Sequence, residues 1–194
     1  MFPESAPPAV HRVIGLLGHQ VTGWGFYLAG GTALAFHLGH RRSVDLDFFS
    51  LTAFDCQRVT ESLVDHGGVL ISQSEDTVHA ILDKVKCSFF HYPYQLVAPL
   101  VSFSSIQLAD VPDIAAMKVV AIAQRGTKKD FFDLYEILRT MNPDQLKTCF
   151  LNKFGDQRVN CYHVLRSLFY FDDAEKDPEP LSLNGADWQK IKAF

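Results

Sequence analysis

The sequence lacks the features that most directly assign a chain to an extracellular or membrane class. Its four cysteines, at positions 56, 87, 149 and 161 among 194 residues, form neither a Cys-x-x-Cys pair nor a zinc-type spacing with histidine. Scattered thiols of this kind are typical of a reducing compartment. Because there is also no apolar run of about 18 residues and no signal-peptide core at the N-terminus, we expect a cytoplasmic protein without membrane contact.

Strong charge of one sign is also missing. The formal net charge is −4 and the isoelectric point about 6.0, so the composition does not predict a broad basic surface for nucleic acid, although it is compatible with a local basic patch. Hydrophobic residues make up 47% and charged residues 21% of the chain, which is ordinary for a globular protein. We therefore expect one domain with a substantial core, or one domain with a helical extension.

The apolar pattern divides the chain into two parts. Before residue 110 helix-like and strand-like spacings alternate, and after Pro112 the spacing is helical. Helices are expected at 8–22, from 32, and at 55–65, 114–124, 129–140, 144–151, 158–171 and 184–190. Strands are expected at 26–29, 45–49, 69–72, 77–82, 85–92 and 105–108, with a hairpin turn at 83–84. The pattern predicts an α/β part in residues 1–110 and a helical part in residues 111–194.

The first chemical signal is a pair of acidic residues on one strand. Side chains alternate faces along a strand, so Asp45 and Asp47 share a face while Leu46 points to the other. The two carboxylates repel each other, and beside so many apolar residues they are unfavourable without a cation between them. Mg²⁺ prefers carboxylate oxygens and keeps positions open for phosphates, so the pair is a candidate Mg²⁺ site. Taken singly, such residues are more often polar strand ends.

A glycine turn precedes this strand and opens a helix. Gly30 and Gly31 allow the backbone to approach a ligand, and the helix that begins near Thr32 directs free N–H groups and its positive dipole end to the same place. A phosphate fits there, although a glycine pair alone is more often a tight turn. Arg41 follows this helix and either steers phosphates or is simply exposed. An acid pair beside a phosphate-binding turn is the layout of phosphoryl-transfer chemistry.

A second signal lies in the first helix of the helical part. The neighbours of Lys118 within one helical turn are apolar, so this lysine needs an anionic partner, unless it reaches solvent along the apolar surface. A nucleotide phosphate or Asp130 would serve. Asp130 lies at the edge of the inward stripe of its own helix, where it is otherwise only a helix-start carboxylate. Asp133 is expected further toward solvent, where it can pair with Lys129.

Two blocks of sequence resemble a known family. The first contains Ala-Gly-Gly-Thr-Ala-Leu at 29–34 and Gly-His-Arg-x-Ser-x-Asp-Leu-Asp-Phe-Phe at 39–49. The second spans 118–135 and reads Lys-x₆-Arg-x₃-Lys-Asp-x₂-Asp-Leu-Tyr. Together they resemble the AbiEii-type nucleotidyltransferase-like proteins of the polymerase-β superfamily, which are the toxins of bacterial abortive-infection and toxin–antitoxin pairs.

The resemblance implies a fold, a reaction and residue roles. The fold is α+β, with a small mixed sheet and helices followed by a C-terminal helical part that closes one side of a cleft. The reaction is Mg²⁺-dependent transfer of a nucleoside monophosphate from an NTP to an acceptor hydroxyl; the suggested acceptor is RNA, at the tRNA 3′ end, and the suggested partner is an antitoxin protein. The implied roles are metal binding by Asp45 and Asp47, phosphate binding by Gly30, Gly31, Thr32 and Arg41, charge neutralisation by Lys118, and orientation of Lys118 or base catalysis by Asp130.

One departure from the family pattern leaves alternatives open. Polymerase-β-type enzymes carry a third carboxylate on a neighbouring strand, and the strand at 85–90 contains no acid. Whether one or two Mg²⁺ bind, and whether Asp83 or Asp130 compensates, therefore stays open. A non-catalytic NTP- or partner-binding module and a small-molecule nucleotidyltransferase that labels an aminoglycoside-like hydroxyl are the alternative functions.

Two further groups of residues are less informative. His37 and His40 are three residues apart and could mimic a metal pair, but a capping or surface role is favoured because no third ligand is evident. A set of basic side chains could form a rim for RNA, although charges at turns and helix starts are usually just solvated. These are Lys84, Lys86, Arg125, Lys128 and Lys129.

Overall fold

The computed structural model describes residues 1–155 and 160–194. A mixed sheet forms its centre, and it contains β1 (Phe26–Ala29), β2 (Leu46–Ser50), β3 (Val69–Gln73), β4 (Thr77–Leu82), β5 (Val85–His91), β6 (Val101–Phe103) and β7 (Ile106–Leu108). The strand order is β3-β4-β5-β2-β1-β7-β6. The β1–β7 and β2–β5 pairs are parallel, and the remaining neighbours are antiparallel. This mixed α+β architecture is the one expected from the resemblance.

Eight α-helices lie in the described part of the chain. They are α1 (Pro8–Gly23), α2 (Gly30–Leu38), α3 (Cys56–Asp65), α4 (Val111–Gln124), α5 (Lys128–Thr140), α6 (Pro143–Phe154), α7 (Cys161–Ser167) and α8 (Trp188–Ala193). Helix α1 packs against β1, β5 and β7, whereas α3 packs against β3 and β4. Helices α2, α5, α6 and α7 all contact α4. None of the helices in residues 1–155 and 160–194 is long and apolar enough to cross a membrane.

The strand next to the glycine turn has two different faces. In β2, Leu46 and Phe48 are buried, and Phe48 stacks on Phe89 of β5 with a ring-centroid distance of 5.1 Å. Asp47 and Phe49 alternate with them and are only half-buried. The apolar face of β2 therefore builds the core, while the other face is available for a site.

The sheet register places specific residues beside the acid pair. Ala29 of β1 lies opposite Asp47, so the chain leaves β1 at Gly30 directly beside this carboxylate. On the other side of β2, Ser88 of β5 pairs with Asp47. The position on β5 next to Asp47 is thus a serine and not a third carboxylate.

Most elements agree with the sequence pattern to within three residues at each end, and three elements do not. The strand β6 was not expected, since three residues are too few to give a periodic signal. Of the helix expected at 158–171, the structure contains α7, which ends at Ser167 because the chain turns at 168–169. Positions 158 and 159 lie outside the described residues. The helix expected at 184–190 begins only at Trp188, where the Asp187 side chain accepts a hydrogen bond from Lys190 N and caps it.

Candidate active site

A cleft of about 1020 Å³ opens on the polar face of β2. The glycine turn, the loop 41–45, β2, β5, α4, α7 and the segment 177–180 all contribute to its wall. Seven of the eight residues for which the sequence predicts a role line this cleft: Gly30, Gly31, Thr32, Arg41, Asp45, Asp47 and Lys118. The eighth, Asp130, is fully buried directly behind Lys118.

The acid pair carries negative charge that the protein only partly balances. Burial raises the pKa of Asp47, and the neighbouring Asp45 raises it further, against the opposing effect of Lys118. Asp45 lies 4.0 Å from Lys129 Nζ, and both of these side chains remain substantially exposed. A cation bound between the two carboxylates would relieve this repulsion.

The glycine turn is in close contact with the acid pair. Gly30 has φ +68°, in the left-handed region that favours glycine, and a Cβ there would lie 3.1 Å from Asp47 Oδ2. A Cβ on Gly31 would overlap the Arg41 guanidinium. Ala29, the N-cap of α2, has no side chain that could accept from the first N–H groups of the helix. The positive end of α2 therefore faces the cleft beside two carboxylates and an arginine.

The Thr32 hydroxyl contacts two groups of the protein. It donates to the carbonyl oxygen of Asp45 and shares a hydrogen bond of 2.8 Å with the Ser43 hydroxyl, and the residue is buried. These contacts join the start of α2 to the segment that carries the acid pair, which fixes the two relative to each other. The phosphate contact that the resemblance implies for Thr32 stays a prediction.

Behind the cleft lies a buried ionic cluster formed by Arg41, Lys118, Asp130 and Asp133. Arg41 donates to both carboxylate oxygens of Asp133, at 2.6 and 2.8 Å. Lys118 Nζ lies 2.5 Å from Asp133 Oδ2 and 3.0 Å from Asp130 Oδ1. All four side chains are at most 5% exposed, so the cluster belongs to the core of the protein.

Asp130 has further partners at the edge of the cluster. Arg125 donates to it at 2.9 and 3.1 Å, and the Thr127 hydroxyl donates at 2.5 Å. Burial alone would raise the pKa of Asp130, but Lys118 and Arg125 lower it to about 2. A carboxylate with so low a pKa and with both oxygens engaged is a poor base. Of the two roles expected for Asp130, orientation of Lys118 is the one that fits this geometry.

Asp133 and its neighbour His40 contradict expectations from the sequence. Asp133 was expected toward solvent, but it is fully buried because Arg41 reaches it from the loop after α2. The pKa of Asp133 lies well below its usual range: burial would raise it, and Arg41 and Lys118 lower it. His40, favoured as a capping or surface residue, is buried, and its Nε2 lies 2.7 Å from Asp133 Oδ1. Tertiary contacts outweigh the helical pattern at both positions.

The candidates for a compensating third acid lie elsewhere or are engaged. Asp83 occupies the β4–β5 hairpin turn and pairs with Arg12 at 2.6 Å. Asp130 is held by Lys118, Arg125 and Thr127. Ser88, which faces Asp47 across the β2–β5 pair, lowers the pKa of Asp47 by hydrogen bonding. The site thus offers two carboxylates and a serine hydroxyl.

A C-terminal segment at the cleft rim escaped the sequence analysis. Arg42 N donates to Leu181 O, and Leu183 N donates to His40 O, both at 2.8 Å. Asp177 Oδ2 accepts from Lys128 N at 2.9 Å. The segment 172–180 was interpreted as a loop or linker because it is acidic and contains prolines. It gave no periodic signal, since its contacts come from isolated backbone hydrogen bonds.

The donor set suits one kind of metal. Within residues 1–155 and 160–194, no group of three or more His, Cys, Asp or Glu side chains converges on one point. Two carboxylates suit Mg²⁺, because this ion usually takes one or two carboxylates and completes its shell with substrate phosphates and water. The fit is therefore to a metal that binds together with a nucleotide.

Comparison with known proteins supports the same chemistry. The family model described as "Nucleotidyl transferase AbiEii toxin, Type IV TA system" matches residues 17–99 and 90–194. An uncharacterized protein of Aquifex aeolicus (strain VF5) is 38% identical over 178 residues, which cover 87% of this chain and 84% of that protein.

Solved structures show that the fold is shared with nucleotidyltransferases. MenT4, a nucleotidyltransferase toxin from Mycobacterium tuberculosis, superposes with a TM-score of 0.62 at 14% identity over 95% of this chain and 79% of that one. ANT(2″)-Ia in complex with adenylyl-2″-tobramycin superposes with a TM-score of 0.53 at 11% identity over 73% of this chain and 92% of that one. The family match over both halves, with which this fold agrees, shows that the chain belongs to the AbiEii family of nucleotidyltransferase toxins of type IV toxin–antitoxin systems.

Proposed function

We propose that the protein transfers a nucleoside monophosphate from an NTP to an acceptor hydroxyl in an Mg²⁺-dependent reaction. The observation that carries this proposal is the contact between the glycine turn at the start of α2 and Asp47, with Asp45 and Arg41 in the same cleft. Phosphate groups and a divalent cation are the ligands that this combination favours. In this proposal residues 1–110 form the nucleotidyltransferase core and residues 111–194 complete the cleft.

In this proposal different residues of the cleft bind the phosphates and the metal ion. The N–H groups of Gly31 and Thr32 and the Arg41 side chain hold the β- and γ-phosphates. Asp45 and Asp47 hold Mg²⁺, which supplies charge neutralisation and orientation of the triphosphate. Lys118 is held by Asp130 and Asp133, and its positive charge stabilises the negative charge of the bound nucleotide.

The transfer itself is an in-line displacement at the α-phosphorus. The oxygen of the acceptor hydroxyl forms a new bond to the α-phosphorus. The bond between the α-phosphorus and the oxygen that bridges it to the β-phosphate breaks, and pyrophosphate leaves. The hydroxyl proton passes to water. The protein contributes by positioning: the rigid turn and the ionic cluster fix the groups that hold the phosphates before the substrate arrives. Burial would lower the pKa of Lys118, but Asp133 and Asp130 raise it, which favours the charged form of this lysine.

We propose RNA, at the tRNA 3′ end, as the acceptor, and toxicity restrained by an antitoxin as the biological setting. Lys86, Arg125 and Lys129 line the cleft and are exposed, which favours a phosphate-bearing acceptor. The substrates place the reaction in the bacterial cytoplasm. Membership of the toxin family supports the growth-inhibiting role.

A small-molecule acceptor is the second candidate. Asp177 and Glu179 also line the cleft, and a pair of carboxylates at the rim suits an amine-rich acceptor of the aminoglycoside kind. A nucleotide-binding module without turnover is the third outcome, motivated by Ser88 where a third acid is expected.

One labelling experiment separates these candidates. Purified protein is incubated with MgCl₂, total bacterial RNA and each NTP in turn, radiolabelled at the α-phosphate, with Asp47→Ala as the control. The proposal predicts label in tRNA-sized RNA for the wild type and none for the variant. Label on an added aminoglycoside but not on RNA supports the second candidate. Mg²⁺-dependent NTP binding without any labelled product contradicts catalysis and supports the binding module.

A further inference from the structure

One wall of the cleft consists of aromatic rings that the reaction described above does not use. Phe49, Phe90, Tyr92 and Tyr94, which we call the aromatic shelf, line the cleft and are each half-buried. Phe49 and Phe90 stack at 5.1 Å, Phe49 meets Tyr92 edge-on at 5.4 Å, and Tyr92 and Tyr94 lie 4.7 Å apart. The shelf is a continuous aromatic surface in the same cleft as the acid pair.

The shelf is held rigidly from behind. Asp113 accepts hydrogen bonds from Val97 N and Ala98 N at 3.0 Å, which anchors the loop that carries the two tyrosines. Lys153 is paired with Asp113 at 2.8 Å, and its Nζ lies 5.7 Å from the centre of the Tyr92 ring. Rings fixed in this way lose little conformational entropy when a flat ligand stacks on them.

The shelf has a defined position relative to the acid pair. Asp47 and Ser88 form one cross-strand pair, and Phe49 and Phe90 form the pair two residues further along the strands, about 7 Å away. The glycine turn lies on the opposite side, because β1 runs antiparallel to β2 and continues from Ala29 toward Arg41 and Ser43. The acid pair is therefore flanked by the glycine turn on one side and by the aromatic shelf on the other.

The geometry of in-line displacement assigns one of these two sides to the leaving group and the other to the attacking hydroxyl. The attacking oxygen and the leaving pyrophosphate occupy opposite sides of the transferred phosphorus. If pyrophosphate leaves on the side of the glycine turn, the attacking hydroxyl arrives on the side of the shelf. The distance of about 7 Å between the acid pair and the nearest rings suits a nucleotide whose ribose hydroxyl is at the phosphorus and whose base is on the shelf.

We propose that the aromatic shelf binds the terminal base of the RNA acceptor by stacking. This inference rests on the proposed function and adds to it the subsite that holds the acceptor. Stacking on aromatic rings tolerates every base, so the shelf selects a single-stranded end and not a particular sequence.

Fluorescence tests this assignment without turnover. The probe is a short single-stranded RNA whose 3′-terminal base is 2-aminopurine, a fluorophore that is quenched by stacking, titrated with the full-length protein in the absence of NTP. The proposal predicts quenching with the probe base at the 3′ end and much less with the same base in the interior of the RNA. Equal quenching at both positions, or none at either, overturns the proposal.

Variants give the second readout. Tyr94→Ala is expected to weaken RNA binding at least about fivefold while NTP binding in the absence of RNA is unchanged, and Tyr94→Phe is expected to behave as wild type. Phe169→Ala is the matched control, because Phe169 is 75% exposed and does not line the cleft in the described part of the chain. If Tyr94→Ala weakens NTP binding and leaves RNA binding unchanged, the shelf holds the nucleotide's base and the proposal is wrong.

The two proposals fail separately. A wild-type protein that quenches the probe but labels no RNA would refute the RNA-transfer function and leave the stacking subsite intact. A wild-type protein that labels RNA without quenching the terminal base would refute the subsite alone.

Discussion

Arg41 and Asp133, which are 92 residues apart in sequence, form a two-point ion pair in the core, with N–O distances of 2.6 and 2.8 Å. Arg41 belongs to the loop between α2 and the acid pair, and Asp133 belongs to α5. The pair therefore joins the loop that follows the glycine turn and α2 to the helical half of the chain. The planar guanidinium matches the carboxylate at both oxygens, which a lysine at this position could not reproduce.

Loss of the Asp133 charge should destabilise the protein strongly. Asp133→Asn leaves the buried Arg41 without an anionic partner and removes one of the two carboxylates that pair with Lys118. Breaking a buried ion pair in this way costs about 3–5 kcal/mol. Urea unfolding followed by circular dichroism measures the change in the free energy of unfolding. Asp144→Asn, at an exposed helix start, is the matched control and should change little. Equal stability of the Asp133 variant and the control would show that the cluster is not the link described here.

Gly31 should tolerate no side chain, since its Cβ position overlaps a guanidinium that Asp133 prevents from moving. Gly31→Ala is expected to lower stability by about 1–3 kcal/mol and to weaken NTP binding, because Arg41 must shift. Gly15→Ala in α1 is the control. No atom lies within 4 Å of its Cβ position, so this change should stabilise the helix by about 0.5–1 kcal/mol. An equal effect of Gly31→Ala and Gly15→Ala on NTP binding would contradict the claim that the space beside Gly31 is needed for Arg41.

The ionic cluster also predicts a pH dependence of stability. Burial would raise the folded-state pKa of Asp130, but Lys118 and Arg125 lower it to about 2, below the ordinary value of 3.8. Its contribution to stability is therefore complete above about pH 5 and is lost as the pH falls toward 2. The shift corresponds to about 2 kcal/mol, and Asp133 acts in the same direction. Unfolding free energies measured across this range should decrease more steeply for the wild type than for Asp130→Asn. Parallel curves for the two proteins would exclude Asp130 as a contributor, and exposed Asp173→Asn should follow the wild type.

Asp47 should behave in the opposite way. Burial and Asp45 raise its pKa, so its charge opposes folding in the absence of metal. Without Mg²⁺, Asp47→Asn should therefore be as stable as the wild type or more stable; a gain of about 1 kcal/mol would raise Tm by about 2–4 °C. Addition of MgCl₂ and nucleotide should then raise the Tm of the wild type and leave that of the variant unchanged. A loss of stability in the metal-free variant would mean that Asp47 has a structural role.

Local patterns were sufficient to predict much of the fold and some of the site. Alternation predicted that Asp45 and Asp47 share a face, and the glycine pair predicted a helix start at the same place. An apolar environment around Lys118 predicted an anionic partner, and the structure provides Asp130 at 3.0 Å. These inferences depend on neighbours in sequence, which is the range over which periodicity carries information.

The features that sequence reasoning missed depend on contacts between distant segments. Helical spacing placed Asp133 toward solvent, because the pattern of α5 contains no sign of Arg41. The contacts of the Thr32 hydroxyl with Ser43 and Asp45 were not predicted, since nothing in its own turn indicates them. The contacts of residues 181–183 with 40–42 join segments that are about 140 residues apart by backbone hydrogen bonds, which leave no compositional signal.

The central claim is that the acid pair and the glycine turn together bind an NTP with Mg²⁺. Isothermal titration calorimetry with an NTP analogue that cannot be cleaved between the α- and β-phosphates measures this directly, for the wild type and Asp47→Asn, with MgCl₂ or with EDTA. The account predicts binding by the wild type with MgCl₂, and affinity at least about tenfold weaker, a difference of about 1.4 kcal/mol, both with EDTA and in the variant. Equal affinity with and without Mg²⁺, or an unchanged affinity in Asp47→Asn, would contradict it.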